Sequence, residues 1–345
     1  GVTRTAGSTR GANGVLHDPN EVTVSATLGW KGLENVTAVR GVPRGLLGQV
    51  LLQAIDVVGG LIKNPAADFI AAKVVERVDG QVDAGVYELR RDALQPLKGS
   101  TLKRDKLPAA PNGGPILMFV HGTFVDTAST FGKLWALHPQ RVRELFAHYG
   151  DRVYALDHPT MGASPIANAL TLAKALPQDA KLHLVTHSRG GVVAEVLARV
   201  CGKPRLDAED FKPFQGEGYA QQRADLQALA DIVAARRITV ERMVRVACPA
   251  RGTLLASRRF DAYLSVLKWT LDLAGVPVAP SLLEFIGEVA GRRADPTKIP
   301  GVAAMMPDSP LVQWLNSADD AVPGQLRVVA SDLEGDSVSS WLKTM

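Results

Sequence analysis

The chain has 345 residues, 46% of them hydrophobic and 21% charged, enough to bury a substantial core as one large domain or two modest ones. A surplus of 39 Lys and Arg over 35 Asp and Glu leaves a net charge of +4, far from the clustered basic surface of a nucleic-acid binder. Two cysteines, Cys201 and Cys248, make neither a disulfide framework nor a zinc spacing, and there is no secretory leader or uncharged run of membrane-spanning length, which together point to a cytoplasmic protein.

Residues 1–20, rich in Gly, Thr, Asn and Arg, read as a mobile arm, and "EVTVSATLGW" (21–30) alternates as a strand does. In "GLLGQVLLQAIDVVGGLI" (45–62), Leu47, Val50, Leu51, Ala54, Ile55, Val58 and Leu61 share one helical stripe. Such a stripe suits a helix packed on a core or, alternatively, one lying against a membrane surface or a partner. "GVYELRR" (85–91) is a further strand and "LPAAPNGGP" (107–115) a turn or linker. Residues 1–110 therefore form an arm with leading strands and a helix, and 111–345 the main core.

From residue 115 strands and helices alternate. "PILMFVHG" (115–122) is a nearly continuous apolar strand, as expected where both faces of a parallel sheet are covered. The helix "FGKLWALHPQRVRELFAHYG" (131–150) should break near Pro139 and end at Gly150. The strand "DRVYALDHP" (151–159), the helix "IANALTLAKAL" (166–176), the strand "KLHLVTH" (181–187) and the helix "VVAEVLARV" (192–200) follow. The half-buried helix "GYAQQRADLQALADIVAARRI" (218–238) precedes two more strands, "ERMVRVACP" (241–249) and "GQLRVVASD" (324–332). This order predicts an α/β fold with a doubly wound, mostly parallel sheet. Between the last two strands, residues 262–316 are apolar, carry Trp269, Phe285 and Trp314, and are broken by Pro277, Pro280 and Pro300. They are expected to form a lid-like helical insertion. No internal repeat is present.

The chemistry concentrates at strand ends. "THSRGG" (186–191) follows an apolar strand and precedes a helix, the setting of a G-x-S-x-G nucleophile elbow with Ser188 at its apex. Gly190 fits the small position after the serine and Gly191 stands behind it, whereas Thr186 is larger than the glycine of the motif. The helix that starts there places its positive dipole end beside the serine. "FVHGTF" (119–124) ends an earlier strand in a His-Gly turn, and "DHPTMGASP" (157–165) runs from a strand end into a Gly/Ser turn.

Together these segments resemble an α/β hydrolase of the lipase/esterase type. "ACPARGT" (247–253) is similar to the Thr-Pro-His-x-Gly-Thr/Ser turn of bacterial lipases, with Cys248 and Ala250 in place of the Thr and His. More narrowly, "HGTF", "DHPT", "THSRGG" and "VACPARGT" resemble the hydrolase domain of bacterial proteins that also carry a caspase-like CHAT module, over roughly residues 115–335. The resemblance implies Ser188 as nucleophile and the backbone N–H groups of Thr123 and Arg189 as an oxyanion hole, supported by His121 and Gly122. Asp332, at a strand end, is the expected acid, with Asp336 or a residue beyond Met345 as alternatives. Substrates would be small-molecule or lipid esters, with an apolar acyl group.

No cofactor or metal is expected. His183 and His187 lie four apart on a strand and lack the glutamate of a zinc-protease helix, and no phosphate-binding glycine motif occurs. The general base is the open point. All seven histidines, His17, His121, His138, His148, His158, His183 and His187, precede Ser188, whereas the hydrolase order places the base after the acid. The chain is therefore expected to be a fragment, truncated at its C-terminus, of a polypeptide with further domains. The competing reading is a non-catalytic hydrolase-fold module that binds a protein partner or lipid.

Overall fold

The apolar strand "ILMFV" is β3 (Ile116–Val120), every residue of it buried, at the heart of a seven-stranded sheet. A computed structural model describes residues 75–76, 79–110, 113–123, 125–251, 299–317 and 324–329. In chain order the other strands are β1 (Gly85–Glu88), β2 (Lys103–Arg104), β4 (Val153–Asp157), β5 (Lys181–His187), β6 (Thr239–Val246) and β7 (Gln325–Val329). They stand in the order β2-β1-β4-β3-β5-β6-β7. The five from β4 to β7 are parallel, while β1 runs antiparallel to β4 and to β2. The sheet is thus mixed, parallel for the most part, and α/β in class. β2 escapes sequence reading because a two-residue strand carries no periodicity.

Period-two alternation divides the core between the faces of the sheet. Ile116, Met118 and Val120 meet helices α3 (Pro165–Ala175), α4 (Arg189–Gly202) and α6 (Ala220–Arg236). Leu117 and Phe119 face α1 (Thr127–Leu137) and α2 (Pro139–Tyr149), where Trp135, Val142 and Phe146 pack. The expected break at Pro139 is there: α1 stops at Leu137, and Pro139 opens α2 at a position where its missing N–H costs nothing. Gly150 closes α2 with φ 56°, a left-handed conformation open to glycine.

Three short α-helices are also described: α5 (Ala208–Phe211), α7 (Pro300–Ala303) and α8 (Pro310–Leu315). The last two belong to the stretch expected to form a lid, and here they are core. Trp314 is 1% exposed, donates through Nε1 to Asp210 Oδ1 at 3.1 Å, stacks edgewise on Phe214 and lies under the Arg199 guanidinium. Residues 262–298, the rest of that stretch, lie outside the described residues, as do the strand at 21–30, the helical stripe at 45–62, Asp332 and Asp336. Among the described residues no helix is long and apolar enough to cross a membrane.

The chain enters β4 on one side of β3 and then crosses to β5 on the other, so the winding reverses between β3 and β5. In sheets of this kind the crevice beyond the carboxyl ends of the strands at such a reversal is where ligands bind. Ser188 and the His121–Thr123 turn are what the chain places there.

Candidate active site

β5 ends at His187, and Ser188 turns the chain into α4 with φ 50° and ψ −124°. For a residue with a side chain this conformation costs on the order of 1–3 kcal/mol, and it persists only where the surroundings impose it. They do so through backbone and glycine. Ser188 N–H donates to Val246 O at the end of β6 at 2.8 Å, and Ser188 O accepts from Gly191 N–H at 2.9 Å. A Cβ on Gly190 would run into the carbonyl oxygens of Val120 and His121, and one on Gly191 into Cys248 Sγ. The corner therefore packs with no room for a methyl group.

Thr186, the departure from the motif, is accommodated rather than harmful. Its hydroxyl donates to Val244 O at 3.0 Å, and a Cβ on Gly191 would come to 3.3 Å from its Oγ1. Gly191 supplies the room that a glycine two residues before the serine would otherwise give.

The end of β3 lies against this corner. A Cβ on Gly122 would stand 2.9 Å from Ser188 Cβ and 3.0 Å from His187 Nδ1. The Gly122–Thr123 peptide thus borders the serine, and Thr123 is half-buried. Arg189 is the first residue of α4, so its amide has no acceptor within the helix. As N-cap, Ser188 makes no side-chain hydrogen bond to that helix end. The structure therefore brings Ser188, His121, Gly122, Thr123, Arg189, Gly190 and Gly191 together.

His121 is buried and its role is readable from its bonds. Nε2 accepts the His158 N–H at 3.1 Å, so Nδ1 carries the proton and donates to Gly122 O at 2.9 Å. Both ring nitrogens are occupied. Asp157 Oδ1 lies 3.7 Å from Nε2, too far for a hydrogen bond, and burial pushes His121 down to about 4, so the two do not form an ion pair near neutral pH. A general-base role for His121 is not compatible with this bonding. Among the described residues, Ser188 Oγ has no hydrogen-bond partner. His183 is committed elsewhere, to Tyr149 Oη at 2.8 Å and toward Glu241 at 3.4 Å. Strand geometry also separates it from His187 by about 13 Å, so the two could not share a metal ion.

Several contributors were invisible in the sequence. The Arg189 side chain is fully buried, donates through Nη2 to Ala163 O at 2.6 Å, and leaves Nε and Nη1 without partners among the described residues. Its pKa falls to about 10 through burial, which leaves it charged at neutral pH. On the 157–165 turn, Asp79 accepts the N–H groups of Thr160, Met161 and Gly162 at 2.8, 3.0 and 2.6 Å. Gly301 donates to Met161 O at 2.8 Å from the other side. On β6, Arg245 pairs with Glu195 of α4. The motif spacing carries no signal for any of these, because their partners are distant in the chain.

A family model described as a domain of unknown function, DUF7379, matches residues 85–212 and 223–344, which is most of the chain. The chain belongs to the DUF7379 family. The match begins at β1 and takes in both β3 and the Ser188 corner. The residues it skips, 213–222, fall mainly in the irregular connection between α5 and α6. No curated protein matches this DUF7379 chain.

Proposed function

We propose that this DUF7379 chain is a serine hydrolase of α/β-hydrolase type that acts, as lipases and esterases do, on carboxylic esters. The observation that carries the reading is the backbone of Ser188, held at φ 50° and ψ −124° between a parallel strand and a helix. A serine strained in this way presents Oγ above the sheet, beside a helix N-terminus that favours developing negative charge. In this reading Ser188 Oγ gives its proton to a general base and attacks the ester carbonyl, the N–H groups of Thr123 and Arg189 receive the oxyanion, and its collapse to the acyl-enzyme expels the alcohol, which takes that proton. Each such donor typically contributes about 3–4 kcal/mol to the transition state. Asp332 is the proposed acid and Asp336 its alternative. Apolar acyl groups fit the composition of residues 262–298.

A second reading, a non-catalytic module that binds a partner or lipid, is favoured by one observation. Ser188 Oγ has no hydrogen-bond partner among the described residues, and both nitrogens of the neighbouring His121 are engaged. A fluorophosphonate probe separates the two. The hydrolase reading expects an adduct that maps to Ser188 and vanishes in Ser188→Ala. A folded protein that never labels supports the second reading, and labelling that persists in that variant removes Ser188 as the nucleophile.

A further inference from the structure

Two adjacent residues at the end of β4 hold both ends of the turn that carries Thr123. At its start, the His158 N–H fixes His121 through Nε2 at 3.1 Å, and the two rings stack with centroids 4.0 Å apart. At its far end, Asp157 Oδ1 accepts both the N–H of Thr127 at 3.0 Å and its hydroxyl at 2.5 Å. Thr127 is the first residue of α1, so the Asp157 carboxylate also faces the positive end of that helix. The six residues from His121 to Asp126 are spanned by these two attachments.

The attachments bear on chemistry through one peptide group. A trans peptide is planar, with its C=O and N–H pointing in opposite directions. His121 Nδ1–H holds Gly122 O at 2.9 Å, and this peptide is trans. Fixing Gly122 O on one side fixes the Thr123 N–H on the other, and Gly122 borders Ser188. The His158 amide selects the tautomer that makes this possible, because only a ring protonated at Nδ1 can donate to a carbonyl.

Asp157 is an expensive group for a purely structural brace. It is 1% exposed, burial pushes its carboxyl up to about 6, and Oδ2 meets no partner among the described residues. An apolar side chain would fill the space without the desolvation penalty but could not bind Thr127 twice. We propose that Asp157 is a positioning residue: acting through Thr127 and alongside His121, it holds the Gly122–Thr123 peptide so that the Thr123 N–H meets the acyl oxygen. The inference rests on the serine-hydrolase reading for its catalytic half and on the bonds to Thr127 for its structural half.

The test uses the full chain with Asp157→Leu, Asp157→Asn and Thr127→Val, each read by p-nitrophenyl acetate hydrolysis and by amide hydrogen exchange of peptides covering 121–127. Asp157→Leu should lower kcat about 100-fold with KM unchanged, the scale of a lost oxyanion donor. It should also speed exchange in 121–127 while β5 and α4 stay protected. Asp157→Asn keeps an acceptor and should recover most of the rate. Thr127→Val removes only the hydroxyl and should give a smaller change in the same direction, which decides the matter if the leucine variant does not fold. Faster exchange with an unaltered kcat overturns the positioning role. Unaltered exchange overturns the clamp whether or not the protein is active. A wild-type protein that neither labels nor turns over sinks the hydrolase reading and the catalytic half with it, while exchange still decides the structural half.

Discussion

Ser188 holds a backbone conformation that its own side chain disfavours, and the residues packed behind it leave no slack for relief. Gly190 is the tightest of these, because a methyl group there meets the backbone carbonyls of Val120, at the end of β3, and of His121 just beyond it. Gly190→Ala should therefore reach at least the upper end of the roughly 1–3 kcal/mol typical of overpacking, read as a drop in the urea midpoint at unchanged slope. A loss under about 1 kcal/mol would mean that the corner yields. Ser188 and Gly190 were legible in the sequence because the elbow's steric demand is local, confined to five residues. Arg189 illustrates the limit. Its amide could be assigned from the motif, but its side chain bonds to Ala163, 26 residues away. Asp157 reaches Thr127 across 30 residues and Asp79 reaches the Thr160 amide across 81, so no spacing rule announces either.

Among the elements, the strands and helices from β3 to β7 were the readable part, since apolar runs and 3.6-residue stripes specify them directly. The direction of β1 and the existence of β2 were not, because pairing partners are set by the sheet as a whole. Composition alone does not distinguish a lid from a buried helix, and of the apolar stretch between β6 and β7 only residues 299–316 are among the described residues. In α8, Trp314 makes the distinction, with its ring in the main core and its N–H on the buried carboxylate of Asp210. Trp314→Ala should cost about 3–5 kcal/mol of unfolding free energy, as large core aromatics do. A lid residue would leave stability within about 0.5 kcal/mol and change only turnover on long-chain esters, and that outcome would return α8 to the lid.

For the molecule as a whole, buried titratable groups set the response to pH. Burial depresses His121 to about 4 and also lowers His158, His183 and His187, whereas it raises Asp157 to about 6 and raises Glu195. A histidine whose folded pKa lies below its usual 6.5 stabilises the fold above that value. The contribution is lost as pH falls toward the folded value, because the unfolded chain takes up the proton first. Asp157 works in the opposite sense: the folded state keeps its proton longer, so its penalty grows as pH rises from the usual 3.8 to about 6. With four histidines against two carboxylates, the urea midpoint should fall between pH 7 and pH 5. His121→Asn should shrink that fall, by about 2 kcal/mol at most over this window, and Asp157→Asn should deepen it. A midpoint flat across this range would show that the buried histidines are hydrated.

Trapping of an acyl-enzyme shows whether Ser188 Oγ is a nucleophile. The protein is mixed with p-nitrophenyl acetate, quenched in acid within seconds, digested and sequenced by mass spectrometry. One acetyl group is expected on the peptide spanning β5 and α4, localised to Ser188, and absent from Ser188→Ala. Acetyl groups only on surface lysines, at equal levels in wild type and variant, would contradict it.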